Sequence, residues 1–372
     1  MLRSFKSFTG ILLAILNFFI AIFFLMGCYA KYFDPARWWV VGFFTLLLPY
    51  LLLFLILFFF IWLFFKPIFS LISLTAILLA INPVQNVLPF RAPTVFNVKK
   101  DTSVIRLMSW NVENFDIVDA KKHPETKEKM ISLINTYHPD IACFQEMIAG
   151  ENKRAIYKPI DFQKELGFSD YHYSYNIKND YDPQHHSGII IYSKFPLVKR
   201  QTISYPPYNY NSIFQFVDFV YNNVDTIRLF NIHLQTLRLD NNRHFLDNPK
   251  FKSDSDLLES KTVLSKLKAG FIAHSIQAKH VRLEINKSPY PLLLCGDFND
   301  MPNSFAYETI GENLQNAFSK KGSGIGRTFY SISPTLRIDN IFVDKKFKIQ
   351  QFTRIKQVLS DHFPIITDIK IH

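Results

Sequence analysis

The chain has 372 residues, 48% of them hydrophobic and 16% aromatic, with a formal net charge of +11. That length holds one large domain or two smaller ones, and three cysteines exclude a disulfide-stapled framework. The charge does not by itself point to nucleic acid. Residues 1–91 carry six Lys/Arg and one Asp, which leaves the remainder at +6 without a dense basic run.

Three segments without a charged residue open the chain: Ser7 to Ala30, Trp38 to Phe65 and Pro67 to Phe90. Runs of about 20 apolar residues have the length of a membrane span. The first two read as transmembrane helices. In the third, the apolar part from Ile68 to Ile81 is short before Asn82, Pro83 and Gln85. It reads as a third span or as an interfacial or re-entrant segment. A cleaved signal peptide competes for the first segment, and Leu25-Met26-Gly27-Cys28 loosely resembles a lipoprotein cleavage site; the second long apolar run argues against simple secretion. Arg3 and Lys6 place the N-terminus in the cytoplasm. Three crossings then put everything after residue 91 outside it, the orientation favoured here, and two would keep it cytoplasmic. Lys66 supports this bias, whereas Lys31 and Arg37 blur it.

Residues 92–103 read as a polar linker, and residues 104–372 as one mixed α/β domain. Glu125 to Tyr137 has helical spacing through Met130, Ile131, Leu133 and Ile134, and ends before Pro139. Asn222-Asn223 turns Ile213–Tyr221 into Thr226–Leu234, a hairpin that excludes a purely parallel sheet. Ser255 to Asn286 reads as a long amphipathic helix with Leu257, Leu258, Leu264, Leu267, Phe271 and Ile276 on one face. Many strands and few helices imply two packed sheets with helices outside. Cys143 and Cys295, inside apolar strands, read as small buried hydrophobes.

What singles this domain out is how its strands end. The run Leu292-Leu293-Leu294-Cys295-Gly296 delivers Asp297 and Asn299, two apart, which an extended backbone points to the same side. Val104 to Trp110 delivers Asn111. Asp140 to Phe144 delivers Gln145 and Glu146. Ile227 to Phe230 delivers Asn231 and His233. Arg337-Ile338 delivers Asp339, and Ser360-Asp361-His362 precedes the last apolar run. Any one of these is an ordinary polar turn. Six sets of acidic, amide and imidazole groups at strand ends are hard to explain as caps, because strands of one sheet can bring such ends to a common rim where ligands bind.

As a set, Ser109-Trp110-Asn111, Gln145-Glu146, Ser187-Gly188-Ile189-Ile190-Ile191-Tyr192-Ser193, Asn231-Ile232-His233-Leu234, Gly296-Asp297-Phe298-Asn299, Arg337-Ile338-Asp339 and Ser360-Asp361-His362 resemble the endonuclease/exonuclease/phosphatase superfamily. That group includes DNase I-like nucleases, apurinic endonucleases, bacterial sphingomyelinases and inositol polyphosphate 5-phosphatases. The resemblance runs in family order over essentially all of residues 104–372 and leaves the membrane region out. It implies a four-layer α/β sandwich of two mixed β-sheets with outer helices, and divalent-metal-dependent hydrolysis of a phosphate ester. By the same resemblance Glu146 and Asn111 hold the metal and Asp361 completes its site. His362 is the catalytic histidine and Asp339 the carboxylate that orients it. Asp297 positions or deprotonates the attacking water, Asn299 donates to the phosphate, and His233 with Asn231 contacts substrate at the rim.

The residue chemistry agrees with that picture. A cation and hydrogen-bond donors offset charge on phosphoryl oxygens. Oxygen ligands from Asn and carboxylates suit Mg²⁺, with Mn²⁺ as the alternative, and the lack of a Cys cluster or His-x-x-x-His disfavours zinc. A carboxylate behind an imidazole fixes its tautomer and stabilises the imidazolium.

Other groups stay open. His185 and His186 either reach substrate or lie in a solvated turn, and His274 and His280 read as surface or packing residues. Tyr205, Tyr208 and Tyr210 form an aromatic loop that stacks on a base, meets a membrane surface or packs. The expected function is therefore a membrane-anchored hydrolase of phosphate esters, acting on a lipid head group or a phosphorylated small molecule, with a nuclease of the same fold as the alternative. A non-catalytic membrane scaffold would show the loss of a key residue, and none is lost. The lipid bilayer is the one partner implied besides substrate, and no protein partner is. Substrate choice is expected from rim loops 150–186, 204–212 and 236–256.

Overall fold

A computed structural model describes residues 2–117, 125–206, 213–222, 224–237 and 254–371. The N-terminal region is helical. Helices α1 (Leu2–Cys28) and α4 (Leu48–Phe65) are each long and apolar enough to cross a membrane. Short helices α2 (Pro35–Trp38) and α3 (Val41–Leu46) lie between them. The ambiguous third segment is a broken helix: α5 (Pro67–Leu79) and α6 (Ile81–Val87) meet at 70° and count as a further crossing only if taken together. Pro83 explains the break, since it offers no N–H to the carbonyl one turn back. Ala21, Phe24, Leu48, Leu52, Leu55, Ala76 and Ala80 form the core of this bundle. Within it the Ser73 hydroxyl donates to Asn17 Oδ1 over 2.9 Å, which joins two buried polar side chains between helices. Outward-facing Leu12, Phe18, Phe19, Leu53, Phe54 and Phe60 are exposed.

The remaining chain folds as two six-stranded mixed sheets among the described residues. In one, the order is β11 (Lys348–Arg354), β12 (Ile365–Lys370), β1 (Val104–Asn111), β2 (Ile141–Ala149), β4 (His185–Ser193), β3 (Asp170–Asp182). In the other it is β5 (Leu197–Ser204), β6 (Ile213–Tyr221), β7 (Asp225–His233), β8 (Leu292–Asp297), β10 (Asp339–Asp344), β9 (Leu314–Asn316). Among the described strand pairs only β1–β2 and β7–β8 run parallel, and the expected β6–β7 hairpin is present, with Tyr221 paired to Asp225.

Strand alternation assigns each side chain to a layer. Ile105 and Leu107 of β1 face the other sheet, together with Cys143, Leu229, Leu293, Cys295 and Ile341. Met108 and Trp110 face outward onto α7 (Thr126–Tyr137) and α8 (Pro159–Glu165) through Met130, Ile134 and Phe162. On the opposite side, Phe230, Ile232 and Leu294 pack against α9 (Asp254–Asn286) and α10 (Phe305–Gly311). A last short helix, α11 (Ala317–Lys321), closes the edge of that sheet. The four layers follow: helices, sheet, sheet, helices.

The helical region is docked onto the sandwich. Arg337, buried against the Phe318 ring, donates to the carbonyls of Asn86 and Val87. Asn303 Nδ2 donates to Pro83 O at 2.9 Å. The Phe43 and Phe271 rings meet edge to face at 5.4 Å, and Gly42 lies so close that a Cβ there would sit 2.5 Å from the Phe271 ring.

Arg106 is the structural ion of the first sheet. It is fully buried, pairs twice with Asp368 at 2.7 and 2.8 Å, and donates to the carbonyls of Asn97, Val98 and Tyr137. Removing one partner strands the other in low dielectric. Arg106→Met should therefore lower stability by about 3 kcal/mol, and Arg106→Met/Asp368→Leu should recover most of that loss. Thermal unfolding of the three full-length proteins checks this.

Candidate active site

The pocket forms where the two sheets present their strand ends. Register does the first part of the work. Across three neighbouring strands His233 pairs with Asp297, and Asp297 pairs with Asp339, so the three side chains line up on one rim. Asn111 sits opposite Gln145 at the end of the β1–β2 pair. Glu146 falls in an irregularity between Phe144 and Met147, with φ +56. That bulge turns its carboxylate out of the strand's alternation and toward Asn111. Gly296 has φ +142, and a Cβ there would lie 1.9 Å from the Ile232 carbonyl, so only glycine lets β8 reach Asp297 beside β7.

His362 arrives from the segment before β12 and is held from several sides. Its Nδ1 bonds Asp339 Oδ2 at 2.8 Å. The Ser360 hydroxyl accepts from the His362 amide and donates to the Asn111 carbonyl at 2.7 Å. Trp110 Nε1 donates to the His362 carbonyl, and the Phe329 ring lies 4.9 Å from the imidazole. Asp339 is steadied in turn, because Thr328 Oγ1 accepts from the amides of Ile338 and Asp339. His362 Nε2 is left facing the pocket, 3.7 Å from Asp297 Oδ2 and 3.9 Å from Asp361 Oδ1.

Asn111 bridges two carboxylates. Its Nδ2 donates to Glu146 Oε1 at 3.1 Å and to Asp297 Oδ2 at 3.2 Å. His233 Nε2 lies 3.7 and 3.6 Å from the same two oxygens. Asn111, Glu146, His233, Asp297, Asp339, Asp361 and His362 thus come together, as their order in the sequence leads one to expect.

Asn299 and Asn231 depart from expectation. Asn299 lines the pocket but is not extended: its φ is +49, its amide caps Asp297 Oδ1 at 2.8 Å, and its Nδ2 donates to Leu234 O at 3.0 Å. One of its two amide hydrogens is therefore committed to the backbone. Asn231 is not a substrate contact. It is fully buried between the sheets, where its Nδ2 donates to the carbonyls of Phe144 and Ile190 and its Oδ1 accepts from Gln145 Nε2 at 2.8 Å. It braces one sheet against the other and leaves no donor for a ligand. His185 is likewise structural: Asp182 holds its Nδ1 and its Nε2 accepts from the amides of Ile156 and Tyr157. His186 stacks on Tyr175 at 4.2 Å. Tyr205 is buried and packs, while Tyr208 and Tyr210 lie outside the described residues. His274 packs inside, with Nε2 on the Gln235 carbonyl at 2.7 Å.

The electrostatics of the rim are lopsided. Burial raises the Glu146 carboxyl, and Asp297 and Glu113 add to the rise. Burial pushes Asp361 up to about 6, with Glu146, Asp297 and Asp339 contributing. Burial works against a charged His362, yet Asp339 and Asp297 outweigh it and hold the imidazolium well above its usual range. Burial takes His233 down to about 4, which keeps it neutral. One imidazolium thus faces a crowd of carboxylates, an arrangement that a cation completes.

The donor set fits a hard divalent ion. Asp297, Asp339 and His362 offer ligand atoms within 4.8 Å of one another. His362 Nδ1 is already committed to Asp339, however, so the oxygens of Glu146 and Asp361 are the alternative set, with Asn111 Oδ1 beside them accepting the Glu113 amide at 3.2 Å. Glu113 went unnoticed in the sequence. It follows Asn111 by two residues, lines the pocket, and accepts the Asp361 amide at 2.9 Å through Oε2. Its signal is weak, an acid in a turn where Glu113 to Asp116 all take positive φ.

A model of the Endonuclease/Exonuclease/phosphatase family matches residues 108–362. The chain belongs to that family. A second model, of a domain of unknown function, matches residues 10–87. No curated protein matches by sequence. Solved structures of the endonuclease/exonuclease/phosphatase family share the fold. The human Nocturnin catalytic domain with bound sulfate is 17% identical, with TM-score 0.51, over 73% of this chain and 95% of that one. An endonuclease/exonuclease/phosphatase from Beutenbergia cavernae is 17% identical, with TM-score 0.50, over 72% of each chain.

The raised carboxyl of Asp361 carries a pH signature. A proton on a ligand competes with a metal, so affinity falls as pH drops through about 6. Between pH 7 and pH 5 the affinity for Mn²⁺ should fall about tenfold from this group alone. Asp361→Asn should bind more weakly at pH 7 and lose that part of the slope. Titration of the full-length protein at several pH values measures both.

Proposed function

We propose that the chain is a membrane-anchored, divalent-metal-dependent hydrolase of phosphate esters. The observation that carries this reading is the His362–Asp339 pair at 2.8 Å facing Asp297 in the same pocket as Glu146 and Asp361, with Asn111 bonded to both Glu146 and Asp297. Glu146, Asp361 and Asn111 would hold Mg²⁺ or Mn²⁺, which when bound neutralises charge on phosphoryl oxygens.

The chain's own groups divide the rest. Asp297, fixed by the Asn299 amide and by Asn111 Nδ2, orients the attacking water and takes its proton. The water oxygen bonds phosphorus as the ester P–O bond breaks. His362, kept protonated by Asp339, donates from Nε2 to a phosphoryl oxygen as charge develops there. His233, neutral beside Asp297 and Glu146, supplies a further contact.

The full-length protein with Mg²⁺ should release 4-nitrophenolate from bis(4-nitrophenyl) phosphate or from 4-nitrophenyl phosphate, and EDTA should abolish the release. Asp297→Ala and His362→Ala should each cost at least about 100-fold in kcat. Unchanged rates in both variants would remove the reading.

The bundle supports one orientation over the other. Lys66 Nζ lies 3.8 Å from the Cβ position of Gly10, so the turn between α4 and α5 shares an end with the start of α1. The opposite end, around Asp34 and α6, meets the sandwich. Arg3, Lys6 and Lys66 therefore flank the end remote from the catalytic domain, which supports a domain outside the cytoplasm. In a bacterial host a C-terminal alkaline phosphatase fusion should be active and a C-terminal green fluorescent protein fusion dark. The reverse pattern would place the domain inside.

A further inference from the structure

The site pocket, about 640 Å³, is walled by both parts of the chain. Asp297, Asp361 and His362 stand at one end. An apolar wall adjoins them: Leu46, Leu47 and Tyr50 come from the helical region, and Leu237, Leu267 and Phe271 from the sandwich, with Thr45, Thr236, Asp300, Ser331 and Ser333 interspersed. Leu47 caps α4 and Tyr50 lies in its first turn, so this wall sits at the end of a helix long enough to cross a membrane. Neither is consumed by packing, since Leu47 is 45% and Tyr50 38% exposed. The Tyr50 hydroxyl lies 3.4 Å from Ser333 Oγ, which ties the α4 end to the segment forming the other lip.

Aromatic residues mark the same level. Tyr32 and Trp38 are 72% and 56% exposed in the connection between α1 and α4, and such rings favour the membrane–water boundary. The polar end of the pocket therefore opens toward the catalytic residues, and its apolar end toward the depth where a bilayer would begin.

We propose that the substrate is a lipid bearing a phosphate ester, with its phosphate at Asp297 and His362 and its hydrocarbon along Leu46, Leu47, Tyr50, Leu237 and Phe271. This rests on the phosphate-ester reading above. A water-soluble phosphate compound would gain nothing from the apolar half, whereas each methylene buried there adds about fourfold in affinity. The reaction is hydrolysis: the water oxygen–phosphorus bond forms, the ester P–O bond breaks, and the leaving oxygen ends with a proton from solvent.

The test uses the full-length chain in amphipol with Mg²⁺ and a series of O-alkyl O-(4-nitrophenyl) phosphates from methyl to dodecyl, assayed as monomers. Release of 4-nitrophenolate reports every member. The ratio of kcat/KM for dodecyl over methyl should reach at least about 30, equivalent to a few buried methylenes. It should drop at least about fivefold in Leu47→Gln and Tyr50→Asn. Equal rates along the series in the wild type would overturn the lipid assignment and leave the hydrolase reading standing. A high ratio that persists in both variants would mean that the belt, not the pocket, collects the chain, and would also overturn it. Absence of hydrolysis for every member, methyl included, would remove the hydrolase reading and the lipid assignment with it.

Discussion

The structure turns on a concentration of negative charge that its two sheets create. Asp297 and Asp339 stand side by side by strand register, and Glu146 is bent toward them by a bulge. Asp361 joins from the segment before the last strand. Burial, with the carboxylates around them, makes Glu146 and Asp361 harder to ionise. Folding alone gives this crowd one imidazolium and the Asn111 amide. A fold stable enough to hold such a rim does so through neutral apolar layers on both faces of each sheet and through paired ions away from the pocket, Arg106 with Asp368 and Arg228 with Asp218.

Much of this was legible in the sequence because strands write their chemistry at fixed places. A run such as Leu292 to Cys295 declares a buried strand, and the residue that follows must sit at its end. That is why Asp297, His233, Asn111 and Asp339 are legible as one group from the strand pattern. The same logic fails where the backbone leaves its period. Asn299 is two residues from Asp297, yet a left-handed turn rotates it away from the extended pattern and spends its amide on Leu234. Asn231 is two residues from His233 on one strand, so alternation puts both on the same face. The packed second sheet then captures the Asn231 amide, a contact the sequence of one strand cannot reveal.

The wall that the helical region contributes was illegible for a different reason. Leu46, Leu47 and Tyr50 read as part of an apolar run, and nothing local distinguishes a residue that faces lipid from one that faces a pocket. That distinction is made by docking: Gly42 admits the Phe271 ring, and Arg337 and Asn303 seize the carbonyls around α6. The rim loops expected to choose the substrate contribute only Thr236 and Leu237 among the described pocket residues, while the segment Ser331 to Leu336, the helix carrying Leu267 and Phe271, and the helical region supply much of the wall.

The central claim is that the charged rim is a metal–phosphate centre. A crystal of the full-length protein soaked in Mn²⁺ and measured at the manganese edge tests it most directly. An anomalous peak bonded to oxygens of Glu146 and Asp361, and lost in a Glu146→Gln crystal, is the expected result. No peak in the pocket at saturating Mn²⁺, with His362 still on Asp339, would contradict it.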